Sequence, residues 1–255
     1  MTKAPTPSHS ALVFLHGFCE STRVWNDFTQ PLQQNFRVIA LDLPGFGNNT
    51  QNIRDYSMES MAEDVKQQLD ELEVRKCILI GHSMGGYVSM AFAEKYGNML
   101  NGLCLFHSSA LPDTEEKKEN RNKTIEFVEK HGVDKFIESF VEPLFYSGNR
   151  NKLRDQIKMM VEIGKSTPKE SITKGLVAMR DRPDRTDILK KVRFPVLFIF
   201  GKEDGAVPLD KALEQCHLPH NSMVNFLANT GHMGMFERTY ETRKTIEKFA
   251  ETIYG

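Results

Sequence analysis

A chain of 255 residues with 33 Lys and Arg against 34 Asp and Glu has a formal net charge of -1, which gives no electrostatic footing on a phosphate backbone or an anionic lipid surface. Nucleic acid and membrane are therefore not expected as partners, and no stretch approaches the roughly twenty apolar residues of a membrane span. The length suits one core in which about three quarters of the unfolded surface leaves water.

Met1 to Pro7 lack the apolar centre of a signal peptide, so a cytoplasmic protein is expected. Beyond them, strands are predicted at 11–16, 36–42, 76–81, 101–106, 194–200 and 222–228, with helices at 22–33, 58–73, 84–97, 208–216 and 236–253. Val65, Leu69 and Leu72 space an apolar stripe along the second helix. A helix between successive strands returns the chain to its starting edge, so the fold class is α/β with a mostly parallel sheet of about six strands flanked by helices. Residues 111–189 break this alternation: they lack strand runs, carry helical spacing, and separate a core of 1–110 and 190–255. Phe127, Phe136, Ile137, Phe140, Leu144, Phe145, Met159, Met160 and Met179 supply apolar positions there. Asp113 to Lys123 is charge-dense and reads as a solvated helix face.

Gly81-His82-Ser83-Met84-Gly85 joins the run Cys77-Ile78-Leu79-Ile80 to a segment of helical spacing. A serine at so tight a strand-to-helix corner holds strained backbone angles, exposes its hydroxyl, and sets the amide at the start of the helix towards an oxygen above it. A hydroxyl attacks only when a base takes its proton, and the base needs an acid to fix its tautomer. Thr230-Gly231-His232-Met233 follows the last predicted strand and offers the base. Asp204, in Gly201-Lys202-Glu203-Asp204 after the strand Val196 to Phe200, offers the acid. The site residues then all fall at strand C-terminal ends, where open parallel sheets place ligands.

This order, Ser then acid then His, resembles the α/β-hydrolase fold superfamily over residues 11–110 and 190–255. Leu12-Val13-Phe14-Leu15-His16-Gly17-Phe18 resembles its oxyanion loop, which implies that the amides of Phe18 and Met84 form the oxyanion hole. Leu41 to Gly47 resembles the turn after the next strand, and Gly201 to Pro208 resembles the acid loop. The insertion at 111–189 resembles the family's helical cap. Only ten residues precede the first strand, interrupted by Pro5 and Pro7, so the family's N-terminal antiparallel strands are expected to be reduced or missing. The resemblance implies a serine hydrolase of the carboxylesterase type, acting on a small to medium carboxylic ester through an acyl-enzyme. Such chemistry requires no metal and no organic cofactor.

Expected substrate contacts are Phe18, His107, Phe140, Phe145 and Met233. His16 is expected to brace backbone, His82 to point into the fold behind the turn, and Asp113 stands as the reserve acid. Relatives that cleave C–C bonds or lactones of small acidic metabolites share the architecture and form the alternative; they favour basic residues in the pocket. Tyr87 stands where some of them place Arg, although Arg180, Arg182 and Arg185 could supply a cation. A receptor-like binder with secondary hydrolysis is a further alternative of a different class. A monomer or homodimer is expected. The four cysteines, Cys19, Cys77, Cys104 and Cys216, form no Cys-x-x-Cys pair; Cys77 and Cys104 read as core thiols, and Cys19 as a turn residue packed under the oxyanion loop, with a place at the pocket mouth as the alternative.

Overall fold

The computed structural model describes residues 7, 9–49 and 56–255. Six apolar runs form six strands: β1 (Ser10–Leu15), β2 (Val38–Leu41), β3 (Lys76–His82), β4 (Leu100–Phe106), β5 (Val196–Gly201) and β6 (Ser222–Leu227). Among the described residues they make one sheet in the order β2-β1-β3-β4-β5-β6, and every pairing is parallel. No antiparallel strand precedes β1 among them; residues 1–6, including Pro5, lie outside the described residues.

The burial follows from the topology. β1 and β5 are buried along their whole length, because helices cover both faces and leave no side of these strands to water. The edge strands behave differently: β2 is mostly half-buried, and β6 exposes its first three residues. Chain order reverses between β1 and β3, since the chain steps from β1 out to β2 and then back across to β3. Register aligns Leu15 with Gly81, and Gly81 with Leu105. The loops leaving β1, β3 and β4 therefore emerge side by side at this switch point, where such sheets open a crevice for ligands.

The helices each have a local cause. The segment predicted as a helix over 22–33 is broken into two 3-10 turns, Thr22–Trp25 and Gln30–Gln34, around α1 (Asn26–Thr29), with Pro31 near the start of the second turn. α2 (Met58–Glu71) starts at a capping box in which the Ser57 and Ser60 side chains bond each other's backbone amides, and it buries Met61, Val65 and Leu69. α3 (Met84–Tyr96) is buried from Met84 to Ala93 because it lies between the sheet and α2. Between β4 and β5 the chain is helical, as α4 (Glu115–His131), α5 (Val133–Phe140), α6 (Arg154–Ser166), α7 (Lys169–Asp181) and α8 (Thr186–Lys191), with a 3-10 turn at Glu142–Leu144. α9 (Leu209–Gln215) joins β5 to β6. The predicted helix over 236–253 is two, α10 (Gly234–Glu237) and α11 (Thr239–Tyr254), because Arg238 leaves helical geometry at φ -140 and ψ 50.

A continuous apolar core runs from the sheet into α5, α6 and α7. Among the described residues no helix is long and apolar enough to cross a membrane.

Candidate active site

Ser83 occupies the corner between β3 and α3 with φ 50 and ψ -117, a left-handed conformation that a non-glycine residue holds only when its surroundings impose it. They do so here. The Ser83 amide donates to Phe106 O at 3.0 Å, and its carbonyl accepts from the Gly86 amide at 2.9 Å and from Ser108 Oγ at 2.7 Å. A Cβ on Gly81 would lie 2.4 Å from Gly85 O, and one on Gly85 would lie 2.6 Å from His16 O, so the corner closes only around two glycines. Met84 is the first residue of α3, where an N–H has no intrahelical acceptor. Among the described residues the Phe18 N–H likewise has no intramolecular acceptor.

The loop after β1 is fixed by buried polar groups. His16 donates from Nδ1 to Gly17 O at 2.8 Å and accepts the Leu43 amide on Nε2 at 3.0 Å, which is the bonding of a neutral ring. Burial lowers its pKa in agreement with that. His16 thus braces backbone, as expected, and His82 points into the fold. Glu20 accepts the Gly17 amide on Oε2 at 2.8 Å and faces His82 Nδ1 at 3.1 Å, while His82 Nε2 donates to His232 O at 2.9 Å. Burial alone favours a protonated Glu20, but His82 and the Gly17 amide outweigh it and hold the carboxyl below its ordinary range. One carboxylate therefore ties together the loops that carry Phe18, Ser83 and His232.

His232 donates from Nδ1 to Asp204 Oδ2 at 2.8 Å. Asp204 Oδ1 accepts the amides of Ala206 at 2.8 Å and Val207 at 3.0 Å, and a second imidazole, His107, meets Oδ2 through Nδ1 at 3.0 Å. Burial works to raise the Asp204 pKa, and the two histidines overcome it and hold the group ionised far below its ordinary value. For His232 burial works downward, and the Asp204 charge, with Glu20 and Glu237 behind it, leaves the net pKa above 6.5. His107, Asp204 and His232 bring their facing atoms within 4.8 Å of one another, and hydrogen bonding accounts for all three.

The His232 loop is held from its far side by Glu237. Its Oε1 accepts the amides of Gly231 at 2.9 Å and Met233 at 3.2 Å, and its Oε2 accepts the Tyr146 amide at 2.9 Å and Asn149 Nδ2 at 2.8 Å. The His232 amide itself donates to Leu144 O at 2.7 Å. The helical insertion and the histidine loop are thus joined through backbone.

Ser83 and His232 line one cavity of about 240 Å³. Its apolar walls are Phe18, Phe136, Phe140, Leu144, Leu176 and Met179, and α4 adds a polar strip of Lys117, Asn120, Arg121 and Thr124. Phe18 stands edge-on to Phe140 at 5.9 Å, and Phe140 stacks on Phe136 at 5.0 Å. α7 approaches this cluster at Gly175, where a Cβ would lie 3.0 Å from the Phe18 ring.

Of the five residues read as substrate contacts, Phe18 and Phe140 lie on the cavity wall, and His107, Phe145 and Met233 do not. Phe145 is buried against Phe236, with which it stacks at 6.2 Å, and Met233 is fully buried where Glu237 pins its backbone. His107 is sealed behind Asp204, since its ring turns to the carboxylate and not to the cavity. Cys19 is packed under the loop and off the wall, and burial raises its thiol pKa well above the ordinary value. Asp113 pairs with Arg121 and Arg182, and no histidine meets it. Arg182 is spent on Asp113 and on the Tyr87 ring, 3.9 Å from the ring centroid, while Arg185 is spent on Glu59 and Glu94. Lys117 and Arg121, in the stretch read as a solvated face, are the cations on the cavity wall; their i, i+4 spacing with Thr124 at i+7 is the signal that marks one helix face. Glu20 and Glu237 were not anticipated, because their partners lie up to 62 and 91 residues away along the chain.

Comparison with known proteins agrees with this geometry. The profile of the alpha/beta hydrolase fold matches residues 10–239. The uncharacterized hydrolase YugF of Bacillus subtilis is 29% identical over 252 residues, covering 91% of this chain and 86% of that protein. The 2-hydroxy-6-oxononadienedioate/2-hydroxy-6-oxononatrienedioate hydrolase of Escherichia coli K12 is 28% identical over 249 residues, covering 89% and 82%. A thermophilic esterase from Thermogutta terrifontis superposes with a TM-score of 0.90 at 29% identity, over 96% of this chain and 90% of that one. On the strength of its sheet order, its serine corner and a family match over nearly its whole length, this chain belongs to the α/β-hydrolase fold family and is a hydrolase.

Proposed function

We propose that Ser83, His232 and Asp204 act as a Ser-His-Asp triad that hydrolyses a small to medium carboxylic ester, with residues 111–189 as a cap over a core of 1–110 and 190–255. The observation that carries this reading is the hydrogen bond of 2.8 Å from His232 Nδ1 to Asp204, on a histidine that shares its cavity with Ser83. That bond leaves Nε2 to receive the Ser83 proton.

In this mechanism Ser83 attacks the ester carbonyl while His232 takes the hydroxyl proton, and the amides of Phe18 and Met84 receive the oxyanion. Each such donor contributes about 3 kcal/mol to lowering the barrier. His232 then protonates the departing alcohol and activates the water that cleaves the acyl-enzyme. The imidazolium formed at each step is stabilised by Asp204, whose oxygens are saturated with donors and therefore take no proton themselves. A cavity of about 240 Å³ lined by Phe18, Phe140 and Leu176 suits a short acyl chain. Turnover of p-nitrophenyl acetate, butyrate and octanoate by the wild type and by Ser83→Ala tests the reading. Hydrolysis that falls from butyrate to octanoate and vanishes in the variant supports it; equal rates in both proteins sink it.

A second reading is favoured by Lys117 on the wall, Arg121 beside it being paired with Asp113: cleavage of a C–C bond or a lactone in a small acidic metabolite. The E. coli relative, a hydrolase named for dioate substrates, supports it. Competition of a dicarboxylate against ester hydrolysis separates the two, since an anion-binding site makes the dicarboxylate an inhibitor and a neutral ester site ignores it.

A further inference from the structure

His107 has three features that a simple packing residue does not need. Its backbone sits at φ 47, the left-handed region that favours glycine and asparagine. Among the described residues its Nε2 is buried with no hydrogen-bond partner, sealed beside Gly234, where a Cβ would stand 2.4 Å away. Its remaining nitrogen, Nδ1, lies 3.0 Å from Asp204 Oδ2, the oxygen that also receives His232. The fold holds a strained residue and an unpartnered nitrogen in place, and a single side-chain hydrogen bond, to the acid, goes with them.

The proton inventory at Asp204 follows from its partners. Four donors surround two oxygens: the amides of Ala206 and Val207 on Oδ1, and the Nδ1 atoms of His107 and His232 on Oδ2. A carboxylate has about four lone-pair sites, so this one is full and can only accept. His107 is then the Nδ1–H tautomer. Charging it would put a second N–H on Nε2, where it has no acceptor among the described residues. Burial accordingly pushes its pKa down to about 4, against the raising influence of Asp204.

We infer that His107 is a positioning residue for the acid of the triad: its permanent donation to Asp204 Oδ2 orients the carboxylate and draws off part of its charge, which limits how strongly Asp204 holds the His232 proton. The inference rests on the triad reading given above. Each hydrogen bond to a carboxylate favours the ionised form and lessens its pull on any other proton. With His107 in place Asp204 shares its charge between two imidazoles; without it the whole charge faces His232. The other charged and titratable groups here are His82, whose ring centroid lies 6.2 Å from that of His107 and 5.0 Å from that of His232, Glu20 on the far side of His82, and Glu237 behind the His232 loop. All three stay in place when His107 is changed.

The test is a pH titration of His232 by NMR in the full chain with ¹⁵N-labelled histidine, in the wild type, His107→Asn, His107→Gly and His107→Leu, alongside the pH profile of kcat/KM for p-nitrophenyl butyrate. Asparagine tolerates the backbone angle and places an amide N–H as many bonds from Cα as imidazole Nδ1, so His107→Asn keeps the wild-type midpoint. Glycine relieves the backbone and leucine fills the volume, and each removes the donor. Both raise the His232 midpoint by roughly one pH unit, with the same shift in the kinetic profile. The wild type alone gives a check that needs no variant: at neutral pH the His107 nitrogens must report a proton on Nδ1 and none on Nε2. An Nε2–H tautomer overturns the inference, as does a rate loss uniform in pH with the His232 midpoint unmoved. The NMR midpoints do not depend on turnover, so a chain inactive on every ester that still shows the shift overturns the triad reading while leaving the coupling of His107 to His232 demonstrated.

Discussion

Asp204 and Asp113 follow strands β5 and β4, are both buried, and both have pKa values held below the ordinary carboxylate range. They differ in what neutralises them. Asp113 is met by the guanidiniums of Arg121 and Arg182, cations that keep their protons at any working pH. Asp204 is met by two imidazoles and two amides. On the proposed reading, the same residue type in the same kind of loop thus makes a fixed strut in one place and holds a titrating histidine in the other. What decides is whether the neighbours can exchange a proton, and depth of burial has little say.

The largest effect tests whether chemistry is confined to the Asp204 side. Ser83→Ala is expected to lower kcat for a p-nitrophenyl ester by at least roughly 10⁴-fold and to abolish any burst of alcohol release in stopped-flow assays. The two acids come next. Asp204→Asn is expected to cost roughly 10⁴-fold in kcat, because the amide supports the wrong histidine tautomer. Asp113→Asn should leave kcat within a few-fold and lower stability by about 3 kcal/mol, read as a fall in Tm, since it strands two guanidiniums. The opposite pattern breaks the comparison.

A smaller effect sharpens it through pH. His232 must be neutral to act as a base, and its folded-state pKa lies above 6.5, so kcat/KM should rise with pH through a midpoint above 6.5. Glu20 contributes to that elevation, and Glu20→Gln should move the midpoint down by a few tenths of a pH unit as well as loosening the Gly17 amide. The smallest effect concerns the wall. Gly175→Ala places a methyl 3.0 Å from the Phe18 ring and is expected to raise KM a few-fold with kcat nearly unchanged.

Much of this was legible in residue order because the signals are local. Strands β1 to β6 come from apolar runs bounded by turns, and the serine corner from two glycines four positions apart. Other features depend on direction or distance. Met233 stands next to His232 in sequence, but its side chain turns into the core where Glu237 holds the backbone. His107 was placed at a strand end; nothing local says that its ring reaches a carboxylate 97 residues away. α4 buries only Val128 among its residues, so the strip of Lys117, Arg121 and Thr124 over the cavity has the composition of a solvent face. The break at Arg238 is hidden because Gly234 to Tyr254 carries helical spacing across it.

The most direct measurement is stoichiometric labelling with a p-nitrophenyl alkylphosphonate followed by peptide mass spectrometry, in the wild type and in Asp204→Asn. One phosphonyl group on Ser83, acquired with release of one p-nitrophenol and far more slowly in the variant, is the result that a serine activated through His232 and Asp204 requires. An active wild type that takes no label on Ser83, or takes it elsewhere, contradicts it.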